Sequence, residues 1–384
     1  MEEIYMKKVF FFGAGFCAEA FLDKVKIALE SLGDYSILGF LDNDENKIGT
    51  LFEGYQVYSP DILSVVPCDL ILFFLFQESR YKPVIQQLSQ FRPIEQIQDY
   101  TFPLKLLLQK KYCDSKEGEI KETLNYVLNH PVSVFNQFIT ADDTYDEVKW
   151  DYKADLPYIE FKTIDDKKVP MYYPRNYEFV KKDGGLFVLN LLWEQSEGSP
   201  HLYVKQNHNI TEGDCVIDAG VCEGNFALRY VEQAKKIYLI ESDPRWIRAL
   251  ERTFYDWKDK IVICNKFLTS YDSKQSVTLD SLIQEKIDFL KMDIEGAETD
   301  ALLGGKRILQ SSQAKCAVCS YHRQNDEENI RFILEALGYQ TSVSPGYMFY
   351  IYDQNISDTM DFRRGVVYGD KKHLIDASPN RSMT

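Results

Sequence analysis

A short apolar strand followed by a glycine turn constrains the fold of this chain more than any other feature. In CVIDAGVCEGNF (residues 215–226), Asp218 ends the apolar run, and Gly220 and Gly224 precede a helix-like stretch. Glycines allow the backbone to turn sharply and to approach a ligand closely at the start of a helix. Their G-x-x-x-G spacing differs from the G-x-G-x-x-G of dinucleotide-binding proteins. The segment predicts a strand of an open α/β sheet with a ligand at its carboxyl end.

An acidic residue follows the next predicted strand, KIYLI (residues 236–240). Glu241 and Ser242 lie at its tip, and Glu241 comes about 20 residues after Gly220, the separation at which an acid accepts hydrogen bonds from a ribose. The alternative is a surface acid that precedes a helix cap. Together with the glycine turn, the acid favours a nucleoside-binding site.

Three carboxylates gather where another predicted strand gives way to a helix. In LKMDIEGAE (residues 290–298) they are Asp293, Glu295 and Glu298, and the helix is predicted to continue to Ile308. Acidic residues here cap free N–H groups and complement the helix dipole, which would account for one or two of the three. The carboxyl ends of parallel strands are also the rim where ligands bind. A functional site is therefore expected at this edge.

Strands alternate with helix-like segments over most of the chain, which predicts α/β architecture with doubly wound, mostly parallel sheets. In the N-terminal part, strands are predicted at residues 8–12, 36–41, 54–58 and 70–76. In the C-terminal part, they are predicted at residues 215–218, 237–241, 261–264, 287–292, 315–320, 347–352 and 364–368.

The first 100 residues contain a second glycine turn. The strand at residues 8–12 leads into Gly13 and Gly15, in the pattern G-x-G-x-x-A, and the strand at residues 36–41 ends in Asp42. This pattern is typical of dinucleotide-binding folds, although Asp42 lies further from the turn than usual. It predicts a Rossmann-like module, which either binds a nucleotide or serves in packing or dimerisation.

The chain is predicted to hold two domains joined by a connector. Residues 1–100 form the Rossmann-like domain, residues 101–185 a helical connector with a hairpin, and residues 186–384 the larger α/β domain. At 384 residues, the chain is long enough for two domains with separate cores. A polar, turn-rich stretch from Trp193 to Tyr203 lies just before the glycine turn, and His201 in it either contacts the substrate or merely accompanies a helix start at Ser199-Pro200.

The amino-acid composition argues against a disordered protein and against a protein that acts on nucleic acid. The 25 tyrosines and 24 phenylalanines argue against disorder. The 44 basic and 59 acidic residues give a net charge of −15, whereas a protein that binds nucleic acid through its phosphates is normally basic, so nucleic acid is a poor substrate candidate.

No signal peptide opens the chain and no apolar run reaches the roughly 18 residues of a membrane span. These features favour a cytoplasmic protein.

Four segments carry a family resemblance. They are VIDAGVCEGNF (216–226), IESDP (240–244), VTLDSL followed by IDFLKMDIEGAE (277–298), and CSYHRQND (319–326). In their order and separation, the chain from about residue 157 to its C-terminus resembles the FkbM family of methyltransferases, which use S-adenosylmethionine. Most relatives have Ala-Asn where this chain has Val221-Cys222, a departure that affects the pocket lining but leaves the glycines and the acid in place.

The resemblance implies a fold and a cofactor site. The fold would be the seven-stranded doubly wound sheet of class I methyltransferases, beside the smaller N-terminal Rossmann-like α/β domain. The cofactor-binding residues would be Asp218, Gly220, Cys222, Gly224, Asn225, Phe226, Glu241 and Ser242.

The chemistry of methyl transfer suggests the catalytic residues. A sugar hydroxyl is a weak nucleophile, so a base or a metal must lower its pKa. Asp293 follows one predicted strand and His322 follows the next, and neighbouring strand ends meet in one crevice. Asp293, Glu295 and His322 are therefore predicted either to bind a hard cation such as Mg²⁺ or Mn²⁺, or to act as an acid–base group in which His322 takes the proton. A purely structural role for His322 is the alternative.

The N-terminal module carries a resemblance of its own. The segment FLDNDENKIGTLFEGYQVYSP (40–60) resembles small Rossmann-like modules that precede sugar-modifying enzymes of surface-polysaccharide pathways. The resemblance implies a nucleotide sugar bound near Gly13, Gly15 and Asp42.

Together, these features predict an S-adenosylmethionine-dependent O-methyltransferase acting on a sugar hydroxyl that is free, nucleotide-linked or polysaccharide-linked. The alternative is a nucleotide- or nucleotide-sugar-binding protein whose methyltransferase-like domain is non-catalytic. A dinucleotide oxidoreductase is less consistent with the sequence, because no hydride-site residues follow the first module. Two Rossmann-like units leave room for a homodimer.

Overall fold

The computed structural model describes residues 6–33, 35–75, 78–130, 132, 148–175 and 194–371. The chain divides into two compact units, one of Met1–Ser133 with Ile351–Asp361 and one of Val134–Tyr350 with Phe362–Thr384. Within the described ranges, no helix combines the length and the apolar character needed to cross a membrane. Phe76 and Trp193, which the sequence analysis places at the end of a strand and the start of a loop, lie outside the described residues.

The first unit is built on a six-stranded sheet in the order β3-β4-β2-β1-β5-β6, parallel except for the β3–β4 pair. Its strands are β1 (Lys7–Phe12), β2 (Tyr35–Leu41), β3 (Leu51–Phe52), β4 (Tyr55–Tyr58), β5 (Leu70–Phe73) and β6 (Ile97–Asp99). Its α-helices are Phe16–Leu32, Glu78–Leu88, Phe102–Tyr112, Gly118–Asn129 and Ile356–Thr359. Short 3-10 helices span Pro60–Ser64 and Ile94–Gln96.

The first helix shows why this unit folds as predicted. In Phe16–Leu32, buried residues recur every three or four positions, among them Ala18, Phe21 and Val25, so one face of the helix is buried. The glycine turn before it has Gly13 at φ +97°, a conformation that favours glycine. The strands predicted at residues 8–12 and 36–41 form β1 and β2 with this helix between them, and the Rossmann-like nature of the module stays a prediction.

The second unit contains a seven-stranded sheet and two smaller sheets. Its strands are β7 (Lys149–Asp151), β8 (Leu156–Lys162), β9 (Lys168–Tyr172), β10 (Cys215–Ala219), β11 (Lys236–Ile240), β12 (Ile261–Cys264), β13 (Phe267–Leu268), β14 (Ser276–Val277), β15 (Phe289–Met292), β16 (Lys315–Cys319), β17 (Tyr339–Val343) and β18 (Val366–Lys371). Its α-helices are Asn225–Arg229, Pro244–Thr253, Leu279–Leu282, Glu298–Leu303, Lys306–Ser311 and Asp326–Ala336, with a 3-10 helix at Tyr255–Trp257.

The large sheet has the order β12-β11-β10-β15-β16-β18-β17. The first five strands are parallel, and β18 is antiparallel to both β16 and β17. Apolar side chains cover both faces, with Val216 and Phe289 in one buried cluster and Ile217 and Leu290 in the other. This burial on both faces explains the continuous apolar runs in the sequence. The predicted seven-stranded doubly wound sheet is confirmed.

The order and the register of the strands determine where a ligand site of this sheet is expected. The chain runs from β10 outward to β11 and β12, and then crosses to β15 on the other side of β10, so the order reverses between β10 and β15. Ligands of open α/β sheets bind at such a reversal, outside the carboxyl ends of the strands. Ala219 pairs with Ile240 on one side and with Met292 on the other. Gly220, Glu241 and Asp293 therefore follow at the same level.

Two predicted elements of this unit are wrong. The strand predicted at residues 347–352 does not form. Its apolar residues Met348 and Phe349 are buried, but they lie in a loop that makes one isolated bridge, between Met348 and Arg363. The edge strand is instead β17, whose residues alternate between buried and exposed and are largely polar.

The helix predicted to reach Ile308 ends earlier. It stops at Leu303, and a new helix starts at Lys306, after the pair Gly304-Gly305. A Cβ atom on Gly304 would lie 2.1 Å from the carbonyl oxygen of Thr269, so the chain passes too close to another loop for a regular helix with side chains there.

Candidate active site

The loops after β10 and β15 touch at Gly220. Its φ is +75°, its N–H donates to the Ile240 carbonyl oxygen (2.9 Å), and a Cβ atom here would lie 1.6 Å from the Asp293 carbonyl oxygen. Gly224 has φ +83°, and a Cβ atom on it would lie 2.9 Å from the Phe254 ring. Both positions require glycine, because a side chain there would clash with the backbone after β15 or with the Phe254 ring.

Glu241 ties the glycine turn to the end of β11. One carboxylate oxygen accepts the Cys222 N–H (2.9 Å) and the other accepts the Asp243 N–H (2.8 Å). The Asn265 side-chain amide donates to the Glu241 carbonyl oxygen (2.7 Å) and fixes the backbone. Each carboxylate oxygen keeps a second lone pair. The buried acid is therefore held at the crevice with acceptor capacity remaining.

Asp218 lies below the turn and forms a buried ion pair with Lys291. Their side chains are 3.0 Å apart, and both residues are buried. Lys291 also donates to the carbonyl oxygens of Ala219 (3.3 Å) and Gly220 (2.5 Å). Burial opposes the charge of Lys291, but Asp218 and Asp293 outweigh it and hold its pKa above the ordinary value. The carboxylate predicted to bind the cofactor therefore supports the turn from beneath.

The other predicted cofactor residues surround the turn. Cys222 is exposed at the turn with φ +47°, and Asn225 and Ser242 are half-buried. Phe226 is buried, and its ring packs edge-on against Tyr203 at 5.6 Å between centroids. The structure therefore brings the predicted set together at the carboxyl ends of β10 and β11, apart from the carboxylate of Asp218 below.

Asp293 is the centre of a buried cluster of proton-exchanging groups. The Tyr203 hydroxyl donates to its Oδ2 (2.8 Å), His201 Nε2 lies 3.3 Å from the same oxygen, and His322 Nε2 lies 3.3 Å from Oδ1. The Tyr321 hydroxyl donates to Oδ1 as well (3.3 Å). Burial alone would raise the pKa of Asp293, but His201, His322 and Lys291 reverse this and hold its pKa well below the usual range. Asp293 is an ionised carboxylate between two imidazoles.

Each imidazole also meets a second carboxylate on its other side. His201 Nδ1 lies 3.4 Å from Glu194 Oε2, and His322 Nδ1 lies 3.1 Å from Glu298 Oε1. The result is a row of alternating groups, Glu194–His201–Asp293–His322–Glu298, here called the carboxylate–imidazole row.

The carboxylates of this row raise the pKa of both imidazoles. Burial lowers the pKa of His322, but hydrogen bonding to Glu298 and the charges of Glu298, Asp293 and Glu295 raise it to about 9. Burial likewise lowers the pKa of His201, and Asp293 and Glu194 more than compensate, so its pKa is raised. His322 is therefore mostly protonated near neutral pH in the free protein.

Glu295 stands at the edge of this cluster. Its side chain is 78% exposed, its Oε2 is 3.7 Å from His322 Nε2, and it accepts the Tyr350 hydroxyl (2.9 Å). Its φ of +57° belongs to the tight turn that Gly296 completes. Glu295 is close enough to reach the site by a change of side-chain rotamer, whereas Asp293 and His322 are already there.

Two groups in the described residues have spacing compatible with a metal ion. The ligand atoms of His201, Asp293 and Cys319 lie within 4.8 Å of one another, and so do those of Asp293, Glu298 and His322. Both groups share Asp293. The predicted pair Asp293 and His322 is present in the second group, with Glu298 where the sequence analysis places Glu295.

Several residues of the site were missed by the sequence analysis or given another role there. Glu194 and Tyr203 come from the segment before β10, and nothing in that stretch indicates that it reaches Asp293, 90 residues away. Glu298 was one of three carboxylates for which helix capping and a ligand site were both considered, and Asn265 carries no recognisable signal. His201 was a candidate for substrate contact, and the structure places it on Asp293.

In the first unit, the acid at the end of β2 accepts a hydrogen bond from the glycine turn after β1. The Ala14 N–H donates to Asp42 Oδ2 (2.9 Å), and Lys47 donates to the Ala14 carbonyl oxygen (2.8 Å) while lying 3.4 Å from Asp42 Oδ2. Gly13 and Gly15 flank this contact. The predicted residues Gly13, Gly15 and Asp42 are therefore adjacent at the carboxyl end of the first unit's sheet.

Comparisons with known protein families match both parts of the chain. Residues 197–341 match the model of the methyltransferase FkbM domain, and residues 5–91 match that of the C2185-like N-terminal domain. A search of curated proteins finds no match.

Several of the solved structures that match the chain are described as methyltransferases, and their sequence identity to it is low. Methyltransferase FkbM from Methylobacillus flagellatus KT has a TM-score of 0.49 and 14% identity, over 95% of this chain and 90% of that chain. Magnesium protoporphyrin IX methyltransferase from Synechocystis PCC 6803, with bound S-adenosylmethionine, has a TM-score of 0.30 and 12% identity, over 44% and 74%. Precorrin-6y C5,15-methyltransferase from Geobacter metallireducens GS-15 has a TM-score of 0.31 and 12% identity, over 44% and 84%.

Proposed function

Because residues 197–341 form a methyltransferase FkbM domain, we propose that the protein transfers the methyl group of S-adenosylmethionine to a sugar hydroxyl. The hydroxyl is on a free, nucleotide-linked or polysaccharide-linked sugar. The observation that carries this proposal is the position of Asp293, level with Gly220 and Glu241 and in contact with two imidazoles. The crevice proposed for the cofactor therefore lies next to the groups proposed to receive the hydroxyl proton.

Three features support S-adenosylmethionine as the donor. The turn at Gly220 and Gly224 lets the backbone approach the methionine portion, as glycine turns before a helix do for other ligands. Glu241 retains lone pairs for the two ribose hydroxyls. Burial of the lysine–aspartate pair under the turn keeps the crevice floor rigid. The cofactor would lie across the ends of β10 and β11.

The reaction needs one bond made, one broken and one proton removed. The acceptor oxygen attacks the methyl carbon, the sulfur–methyl bond breaks, and its electron pair stays on sulfur to give S-adenosylhomocysteine. The hydroxyl proton passes to Nε2 of neutral His322, and Asp293 stabilises the imidazolium that forms. Holding the acceptor in line supplies much of the remaining acceleration.

We predict that the reaction is faster in alkaline solution. The pKa of His322 is raised to about 9, so only about one molecule in a hundred has the neutral base near pH 7. The rate at low substrate should rise about tenfold per pH unit from about pH 7 to pH 9 and then level off. The sulfonium charge of the bound cofactor should lower the pKa, so kcat should level off at a lower pH than kcat/KM. A kcat/KM that is flat across this range would contradict the base role of His322.

We also propose that a divalent cation, Mg²⁺ or Mn²⁺, assists the reaction by polarising the acceptor oxygen. Asp293, Glu295 and His322 would hold it, through carboxylate oxygens, which suit these ions, and one imidazole nitrogen. We expect a chelator to stop turnover and added Mg²⁺ or Mn²⁺ to restore it, while S-adenosylhomocysteine still binds. Turnover that is unchanged by the chelator would limit the site to acid–base chemistry.

For the first unit, we propose a nucleotide sugar as ligand. Gly13, Gly15 and Asp42 are adjacent, and Lys47 beside them offers a cation to a phosphate. If this ligand binds without methyl transfer in the second unit, the chain is a nucleotide-sugar-binding protein, which is the alternative function. Turnover with S-adenosylmethionine decides between the two.

The test of the proposed function is a thermal-shift titration followed by a transfer assay. A ligand at about 100 times its Kd stabilises a protein by about 2.7 kcal/mol, a shift of several degrees. S-adenosylhomocysteine should produce this shift and NAD should not. Radiolabelled S-adenosylmethionine should then label a saccharide from a panel of free and nucleotide-linked sugars. A shift with NAD alone would contradict the proposal.

A further inference from the structure

Glu298 is a buried carboxylate that the proposed reaction does not use. It is fully buried, and it lies in the first turn of the helix Glu298–Leu303. Its Oε1 accepts the Ile294 N–H (2.9 Å) and lies 3.1 Å from His322 Nδ1, whereas its Oε2 has no hydrogen-bond partner among the described residues. A carboxylate buried this completely is retained only with a strong partner. That partner is His322.

The backbone around Glu298 is shaped for this contact. After β15 the chain turns through Glu295 (φ +57°) and Gly296 (φ +89°), which bring Glu298 back beneath Ile294. A Cβ atom on Gly296 would lie 3.4 Å from the His322 Cβ and 2.9 Å from the Arg323 side chain. The turn thus packs directly against the histidine that Glu298 holds.

His322 is held from three directions. Arg363 Nη1 donates to the carbonyl oxygens of Tyr321 (3.0 Å) and His322 (2.9 Å), which fixes the backbone. Glu298 Oε1 faces the Nδ1 edge of the ring at 3.1 Å, and Asp293 Oδ1 faces the Nε2 edge at 3.3 Å. Turning the ring over would place carbon atoms against both carboxylates and lose both contacts.

We infer that Glu298 is a positioning residue, which holds the His322 ring with Nε2 directed toward Asp293 and the acceptor hydroxyl. The inference rests on the proposed function, because it assigns His322 the role of proton acceptor. It follows the general arrangement in which a base is oriented by a third group through its distal nitrogen. Glu298 touches neither acceptor nor cofactor and acts through His322 alone.

Two substitutions of Glu298 distinguish the effect of side-chain length from the effect of negative charge. Glu298→Gln keeps an oxygen at the same position without the charge, and Glu298→Asp keeps the charge but shortens the side chain by one methylene. We expect kcat to fall about 10- to 100-fold in Glu298→Asp, as for other residues that orient a functional histidine. Glu298→Gln should stay within about fivefold of wild type, because it loses only the charge assistance of the hydrogen bond. The KM for S-adenosylmethionine should change less than about twofold in both, because Glu298 does not contact the cofactor crevice.

The matched control is Asp300, the other acid in the first turn of the same helix. Its Oδ2 accepts the Ser270 N–H (3.0 Å), away from His322. Asp300→Asn should leave kcat unchanged. If Glu298→Asp is as active as wild type and Glu298→Gln is not, the helix needs only a negative charge at its start, and the inference is overturned. An equal loss in Asp300→Asn would overturn it as well.

A spectroscopic readout tests the positioning without turnover. The chain has five histidines, so labelling of histidine nitrogen gives few imidazole signals, and the His322 signal is the one lost in His322→Asn. An Nδ1 proton held against a buried oxygen exchanges slowly and resonates at low field, whether a carboxylate or an amide supplies that oxygen. We expect this Nδ1 proton resonance in wild type and in Glu298→Gln but not in Glu298→Asp. Its persistence in Glu298→Asp would overturn the inference, whereas wild-type inactivity on every saccharide would contradict only the proposed acceptor.

Discussion

Gly220→Ala is expected to abolish binding of S-adenosylhomocysteine and to lower the free energy of unfolding by more than about 3 kcal/mol. The added methyl group would stand 1.6 Å from the Asp293 carbonyl oxygen, and backbone cannot yield as a flexible side chain does. The loops after β10 and β15 would have to separate. This separation would displace the glycine turn from the cofactor and Asp293 from its place beside it. The measurement is denaturant unfolding together with calorimetric titration of S-adenosylhomocysteine.

Gly213→Ala provides the matched control. Gly213 has φ +89°, close to that of Gly220, but nothing lies within 4 Å of the position that its Cβ atom would occupy. It therefore isolates the strain of a left-handed backbone, about 1–2 kcal/mol, from the loop contact. Gly213→Ala should bind S-adenosylhomocysteine as wild type does. If the two variants lose the same stability and both still bind, the close approach at Gly220 does not form the pocket.

The glycines, the acidic residues and the histidine of the site could be predicted from the sequence, because each lies at a recognisable position after an apolar strand. Gly220 and Gly224 are visible as a spaced pair after an apolar run, and Glu241, Asp293 and His322 each follow a strand. Parallel strands then bring their tips to one edge whatever the loops do. The predicted α/β sheet needed only the alternation of strands and helices.

Two partners of Asp293, Tyr203 and His201, could not be predicted, because they come from another part of the chain. Tyr203 and His201 belong to a polar segment before β10 whose path no periodicity reveals. Glu298 has the same sequence signature as a helix cap and becomes a partner of His322 only through the turn at Gly296. Strand β17 was missed for a related reason, since an edge strand with one exposed face is polar and resembles a loop.

Asp293→Asn is expected to lower kcat by a factor of about 10² to 10⁴, the usual contribution of positioned acid–base groups. Asparagine keeps the shape and an oxygen that can accept the Tyr203 hydroxyl, but it removes the charge between His201 and His322. The imidazolium formed at His322 would lose its stabilising partner. The contact of Asp293 with Gly220 runs through its backbone, which the substitution leaves intact. Affinity for S-adenosylhomocysteine should therefore stay within about threefold of wild type.

Asp370→Asn is the control for this variant, because Asp370 pairs with a buried histidine elsewhere in the same unit. Its Oδ1 lies 3.0 Å from His208 Nδ1, and neither residue is part of the carboxylate–imidazole row. Removing its charge should leave kcat unchanged, which would separate catalysis from the general loss of an aspartate–histidine pair. Single-turnover assays and titrations with S-adenosylhomocysteine measure the two effects independently. If Asp293→Asn retains kcat within about tenfold, or loses cofactor affinity in proportion to kcat, Asp293 acts in binding or in structure and the proton must leave the acceptor by another route.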